Sequence, residues 1–141
     1  MSIETLENLA RIRKLKQEAP DQAQIDGMIR SAKTRIEDLQ VQGLSQEGKF
    51  LSAYGAAHSL ALAALRWHGY RSDNRYIAFQ CLQHTVGLET GKWRLLSKCH
   101  DLRNQAEYEG ILNLSSQLVD ELITITQELH RTVEAMGPAD G

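Results

Sequence analysis

Apolar residues recur every three to four positions along almost the whole chain, the period of a helix with one buried face. Ile3, Leu6, Leu9, Ile12 and Leu15 form a first such line and predict a helix from Ser2, as N-cap, to about Ala19. Pro20 breaks it, and Asp21 caps a second helix with Gln24 as its capping-box partner. Ile25, Met28, Ile29, Ala32, Ile36 and Leu39 stripe that helix, and Gly43 closes it.

The third helix opens at Ser45 and runs to about His68. Its apolar positions wrap around it: Phe50, Tyr54, Ala57, Ala61 and Leu65 on one side, and Ala53, Ala56, Leu60, Ala63 and Ala64 on others. A helix apolar all round is a central, buried one, and its alanines admit close neighbours. After a turn at Gly69 and the polar run Arg71 to Asn74, Asp73 is expected to cap a fourth helix from Asn74 to about Leu88. A fifth follows from Lys92 to about Tyr108 and ends at Gly110, the residue suited to a left-handed stop. The last helix spans Ser115 to Met136, striped by Leu118, Leu122, Ile125, Leu129 and Val133. No Val/Ile/Thr alternation marks a strand. The pattern therefore predicts an all-α fold, an antiparallel bundle of about five to six helices with short connections. Residues 1–43 form an N-terminal helical pair in this reading, 44–136 a core bundle, and 137–141 a frayed tail.

Composition narrows the function classes. A chain of 141 residues makes one domain, and 42% hydrophobic residues suffice for a packed core. The net charge of −2 supplies no global basic field, so any RNA contact must come from a local patch or a shared cleft. Glu4 and Glu7 precede any apolar run, which argues against a signal peptide. The most apolar stretch, Ala53 to Leu65, falls short of the roughly 18 residues of a membrane span. Cys81 and Cys99 make neither a CxxC motif nor a disulfide framework, which points to a reduced, cytoplasmic compartment.

Candidate chemistry concentrates in Asp101 to Gly110, DLRNQAEYEG. At about 100° per residue, Leu95, Cys99, Leu102 and Ala106 take the core side of the fifth helix, and His100, Arg103, Asn104, Glu107 and Tyr108 the other. Arg103–Glu107 and Asn104–Tyr108 are i,i+4 neighbours, whereas Arg103 and Tyr108 stand about 140° apart. On spacing alone the stripe is either a solvated face with an Arg–Glu pair worth a few tenths of a kcal/mol, or an anion site. In the second case Arg103 forks a phosphate, Asn104 orients it and Tyr108 adds a hydroxyl.

Other constellations add little. Cys81, His84, Cys99 and His100 invite a zinc reading, but adjacent residues on a helix diverge by about 100° and chelate badly, so no metal site is expected. There is no Glu-x-x-His pair of di-iron bundles and no P-loop or dinucleotide fingerprint, and no cofactor is expected. His58 reads as an interior histidine and His68 as a helix-end residue. The basic run Arg11, Arg13, Lys14 and Lys16 reads as solvated surface, with nucleic-acid contact as the alternative.

The stretch RNQAEY with Gly110 resembles the HEPN superfamily of small all-α prokaryotic domains, in its branch with an RNxAEYxG-like motif. YGAAHSLALAALRWHGYRS, Tyr54 to Ser72, resembles the first long helix and turn of such domains, and the likeness covers about Leu44 to Met136. The resemblance implies a homodimer with two motifs facing one cleft, metal-independent RNA cleavage or RNA and nucleotide association, and a toxin–antitoxin or stress-defence setting with an antitoxin partner. It implies that Arg103 stabilises phosphorane-like charge and Asn104 positions the motif. Tyr108 stands where the usual motif has His. A free Tyr has a pKa near 10, so it is a poor general base, and His100 is the alternative acid–base group. Nuclease activity is therefore expected to be weak or absent. An active ribonuclease and a non-catalytic interaction bundle are the alternatives.

Overall fold

The computed structural model describes residues 3–139. Seven helices appear there: α1 (Ile3–Arg11), α2 (Gln22–Asp38), α3 (Gln46–Trp67), α4 (Arg75–Gln80), α5 (Leu82–Thr85), α6 (Thr90–Glu109) and α7 (Ser116–Glu134). Two short strands, β1 (Lys16–Gln17) and β2 (Tyr70–Arg71), pair antiparallel with Lys16 opposite Arg71 and Gln17 opposite Tyr70. The all-α bundle read from the sequence is therefore the fold, with this two-residue ribbon as an addition.

Side-chain caps set most helix starts. Asp21 accepts from the Gln24 amide at 3.2 Å, Ser45 from Gly48 at 2.9 Å, and Ser115 from Leu118 at 3.1 Å. The fourth start differs from expectation by one residue. Asn74, not Asp73, caps α4 by accepting from the Ile77 amide at 3.1 Å. Its helix also breaks at Cys81 before the short α5. Gly110 ends α6 in the left-handed region at φ 70°, as expected.

The first helix is much shorter than the periodicity implied; Ser2, its expected cap, lies outside the described residues. It stops at Arg11 because the chain turns over in a Schellman motif: the Lys14 amide bonds the Leu9 carbonyl at 2.9 Å and the Arg13 amide bonds Ala10 at 3.0 Å. Arg13 occupies the left-handed position, φ 64°, that glycine usually takes. Leu15 still reaches the core, at 3% exposure, but from the segment leading into β1.

Packing organises around α3. Ala53, Ala56, Ala57, Ala61, Ala63 and Ala64 are all fully buried, so neighbouring helices close on most of its surface, leaving the line of Leu51, Gly55, His58 and Leu62 less covered. The longest contact is with α2, which runs antiparallel: Ser52 donates to the Arg35 carbonyl near one end, and Arg66 donates to Gln24 near the other. In contrast, α7 runs parallel to α3. Thr126 lies 3.4 Å from the Ala53 carbonyl oxygen, and Trp67 donates to the Gly137 carbonyl just beyond α7. Residues Leu6, Ile25 and Ala32 belong to the same core as α3 and α7, so the N-terminal helices are built into the bundle. The C-terminal segment is held at Gly137 and at Ala139, whose amide donates to the Gln22 side chain at 2.8 Å. Among the described residues no helix is long and apolar enough to cross a membrane.

Arg66 is a buried cation in this core, 3% exposed. Its guanidinium bonds the Glu18 carbonyl (3.0 Å), the Ala19 carbonyl (2.8 Å), the Gln24 side chain (3.2 Å) and the Glu18 carboxylate (3.1 Å). Gln24 thus serves Arg66 with its side chain as well as Asp21 with its amide. Truncation leaves these acceptors unmatched, which costs about 3 kcal/mol. Arg66→Ala is expected to lose about that much in urea unfolding, and a loss below about 1 kcal/mol contradicts the clamp.

Candidate functional site

The candidate site is assembled by three helices around one hydroxyl. Tyr54 projects from α3, where it is 3% exposed, and a buried phenol needs partners. It finds two. The Arg75 guanidinium, from the first turn of α4, donates to its oxygen at 2.9 Å, and His100 Nδ1, from α6, lies 2.7 Å away. With Arg75 donating to the oxygen, the Tyr54 hydroxyl and His100 Nδ1 share one hydrogen bond, whose direction is set by the imidazole tautomer. Nε2 faces the Asn104 side-chain amide at 3.4 Å, one helical turn along α6. Ring contacts complete the packing: Tyr54 stacks on His100, Tyr76 meets His100 edge-on at 4.5 Å, and Arg75 lies over the Tyr54 ring at 5.6 Å. Tyr76 also donates to the Asp101 carboxylate.

This geometry overturns one expectation. His100 was placed on the outward polar stripe of the fifth helix, yet it is 8% exposed. The buried line of α6 runs through Leu96, Cys99 and His100, while Leu95, Leu102 and Ala106 are only half-buried. The helix is rotated toward α4 and α3, and Arg103 and Asn104 become half-buried with it.

The predicted residues are therefore divided. His100 and Asn104 belong to the cluster; Arg103, three residues after His100 on α6, acts on it by its charge and is bonded by Glu107 at 3.2 Å. Tyr108 is 81% exposed and makes no hydrogen bond or ring contact among the described residues. Four members were not singled out as site residues from the sequence: Tyr54, Arg75, Tyr76 and Asp101. His58, read as an interior histidine, sits one turn beyond Tyr54 on α3 and packs edge-on against Phe79. The available signal was Tyr54 and His58 at i,i+4 on an otherwise apolar helix.

The electrostatics are those of a cationic, partly desolvated site. Burial, then the Arg75 charge, His100 and Arg103 push the His58 imidazole down to about 4. His100 is lowered as well, by burial first and then by Arg75 and Arg103, against an opposing pull from Asp101. Burial raises Tyr54, with the Arg75 hydrogen bond opposing it. The Asp101 hydrogen bond is the main cause of a raised Tyr76. Two guanidiniums thus act on the same two neutral imidazoles, and Arg75 has no carboxylate partner among the described residues.

A metal is not what this chemistry suggests. No group of three or more His, Cys, Asp or Glu among the described residues is arranged to hold one. Cys81 and Cys99 are buried, free, and pushed up to about 12 by burial, so they pack as small apolar side chains. Neither protein-family models nor curated protein sequences match this chain.

His58 and His100 couple the site to folding. Both are lowered in the folded state, so below pH 6.5 the unfolded chain takes up protons first. Stability is complete above pH 6.5 and falls as the pH drops toward 4, by about 3 kcal/mol for His58. Melting between pH 7.5 and 4.5 is expected to show this decline, and His58→Gln to flatten it. An unchanged slope in that variant contradicts the assignment.

Proposed function

We propose that the cluster between α3, α4 and α6 binds the phosphate of an RNA or nucleotide, and that the chain is an HEPN-like protein with weak or absent nuclease activity. The observation that carries this is Arg75, which donates to the Tyr54 hydroxyl beside His100 and has no carboxylate partner among the described residues, with Arg103 three residues after His100 on α6. A partly buried cation without a counter-ion is costly, and an arriving phosphate supplies the missing charge and several acceptors. The resemblance of Arg103 to Gly110 to HEPN motifs supports the same ligand and suggests a toxin–antitoxin or stress-defence role, with an antitoxin as partner. The homodimer implied by that resemblance belongs to this proposal.

Metal-independent ribonuclease activity is the second reading, and the geometry around His100 favours it. In that case a neutral imidazole takes the proton of the RNA 2′-OH as this oxygen attacks phosphorus. The 5′-oxygen leaves with a proton from solvent water, and Arg75 and Arg103 stabilise the equatorial charge. The lowered His100 limits its use as an acid at neutral pH, which suits slow or absent turnover. Tyr108, exposed and apart from the cluster, has no role in either version unless a second copy brings it to the ligand.

Labelled single-stranded RNA with a chelator present separates these readings. Wild type is expected to bind, and Arg75→Ala and Arg103→Ala each to lose about tenfold in affinity or more. Chelator-resistant cleavage that His100→Ala abolishes supports the ribonuclease. Wild type that binds neither RNA nor nucleotide removes the RNA readings and leaves a protein-interaction bundle. Sedimentation tests the dimer, and a strict monomer removes the shared cleft.

A further inference from the structure

On the far side of the first turn of α4 lies a second cationic feature, an open notch of about 390 Å³. Arg13, Lys14, Lys16 and Arg71 line it together with Asn74 and Ile77. Arg71 is matched by Glu18 at 3.3 Å, and Asp73 is the carboxylate in the lining. Arg13, Lys14 and Lys16 make no ion pair among the described residues.

Two features of the notch work against stability. Arg13 holds the left-handed position of the Schellman motif, where glycine carries no steric penalty. Lys16 stands directly opposite Arg71 across the β1–β2 ladder, and like charges so placed repel. Arg13 and Lys16 are themselves exposed, on either side of the buried Leu15, and local rules broken together at exposed residues are a feature of binding sites. A polar lining rich in Lys and Arg suits phosphate oxygens.

The position of the notch defines the ligand further. Asn74 and Ile77 line it, while Arg75 and Tyr76, from the same turn of α4, belong to the cluster around Tyr54 and His100. One turn of helix therefore separates two cationic sites. We propose that a single RNA strand crosses this turn, with one phosphate at Arg75 and Arg103 and a neighbouring phosphate in the Arg13–Lys14–Lys16–Arg71 notch. This inference rests on the phosphate-binding reading of the cluster and makes its ligand a polymer, not a mononucleotide. The β1–β2 ribbon, absent from the helical pattern of the sequence, is what carries Lys16 and Arg71 to the edge of that turn.

The test compares oligouridylates of increasing length with uridine monophosphate, each at several salt concentrations. For the Lys14→Ala/Lys16→Ala double variant, oligomer affinity is expected to fall about tenfold or more. The log–log salt slope should shrink by about 1.4, at roughly 0.7 per cation for a single strand. Monophosphate affinity should stay within about twofold of wild type, because that ligand reaches only the cluster. Arg13→Gly separates binding from folding: it is expected to raise the melting temperature while weakening oligomer binding. Unchanged oligomer affinity in both variants overturns the notch, and if Arg75→Ala still loses binding the cluster reading survives. Equal losses for monophosphate and oligomer also overturn it, since the notch is then no separate subsite. Losses confined to anionic phospholipid vesicles point to a membrane surface and overturn the RNA strand. Wild type that binds no oligomer removes both proposals.

Discussion

Burial of α3 around most of its circumference is the constraint from which both the fold and the candidate site follow. Its fully buried alanines let α2 and α7 approach closely, but the same closure isolates whatever polar groups the helix carries. Tyr54 and Arg66 are such groups, each 3% exposed. Arg66 satisfies itself by gathering the carbonyls of Glu18 and Ala19, which fixes the chain between β1 and α2. Tyr54 does so by drawing in His100 from α6 and Arg75 from α4. The first clamp holds the N-terminal segment on the bundle; the second brings imidazole, guanidinium and amide together at one place.

That second clamp also explains the character of the site. Desolvation and two nearby cations keep His58 and His100 neutral, so the positive charge resides on Arg75 and Arg103. A neutral imidazole beside a guanidinium donates and accepts hydrogen bonds without adding further repulsion. Such an arrangement is suited to holding a phosphate, and less suited to rapid acid–base turnover at neutral pH. Arg103 is partly offset by Glu107, which leaves Arg75 as the cation with most to gain from an anion.

Much of this was legible in the sequence where local chemistry decides structure. The caps at Asp21, Ser45 and Ser115, the stop at Gly110 and the buried α3 all follow from short-range rules. The end of α1 did not, because its left-handed residue is Arg13 and no glycine marks the turn. The break at Cys81 likewise carries no proline or glycine. The largest difference concerned His100. Periodicity sorts residues by polarity, so a buried histidine is counted with the solvated face, and the stripe of α6 came out rotated away from α3. Arg75 and Tyr76 could not be read as site residues at all, since their partners Tyr54 and Asp101 are more than twenty positions away. Arg103 and Asn104 lie next to His100 on α6, and the other residues around His100 come from other helices, not from Tyr108.

The central claim is that Arg75 and Arg103 form an anion site around His58 and His100. The most direct measurement is NMR titration of the two imidazoles with and without inorganic phosphate. Bound phosphate screens the guanidiniums and accepts from the rings, so both imidazoles are expected to titrate at higher pH, His58 rising from about 4, with shifts that saturate. Imidazole titrations that do not move as phosphate is added contradict the anion site.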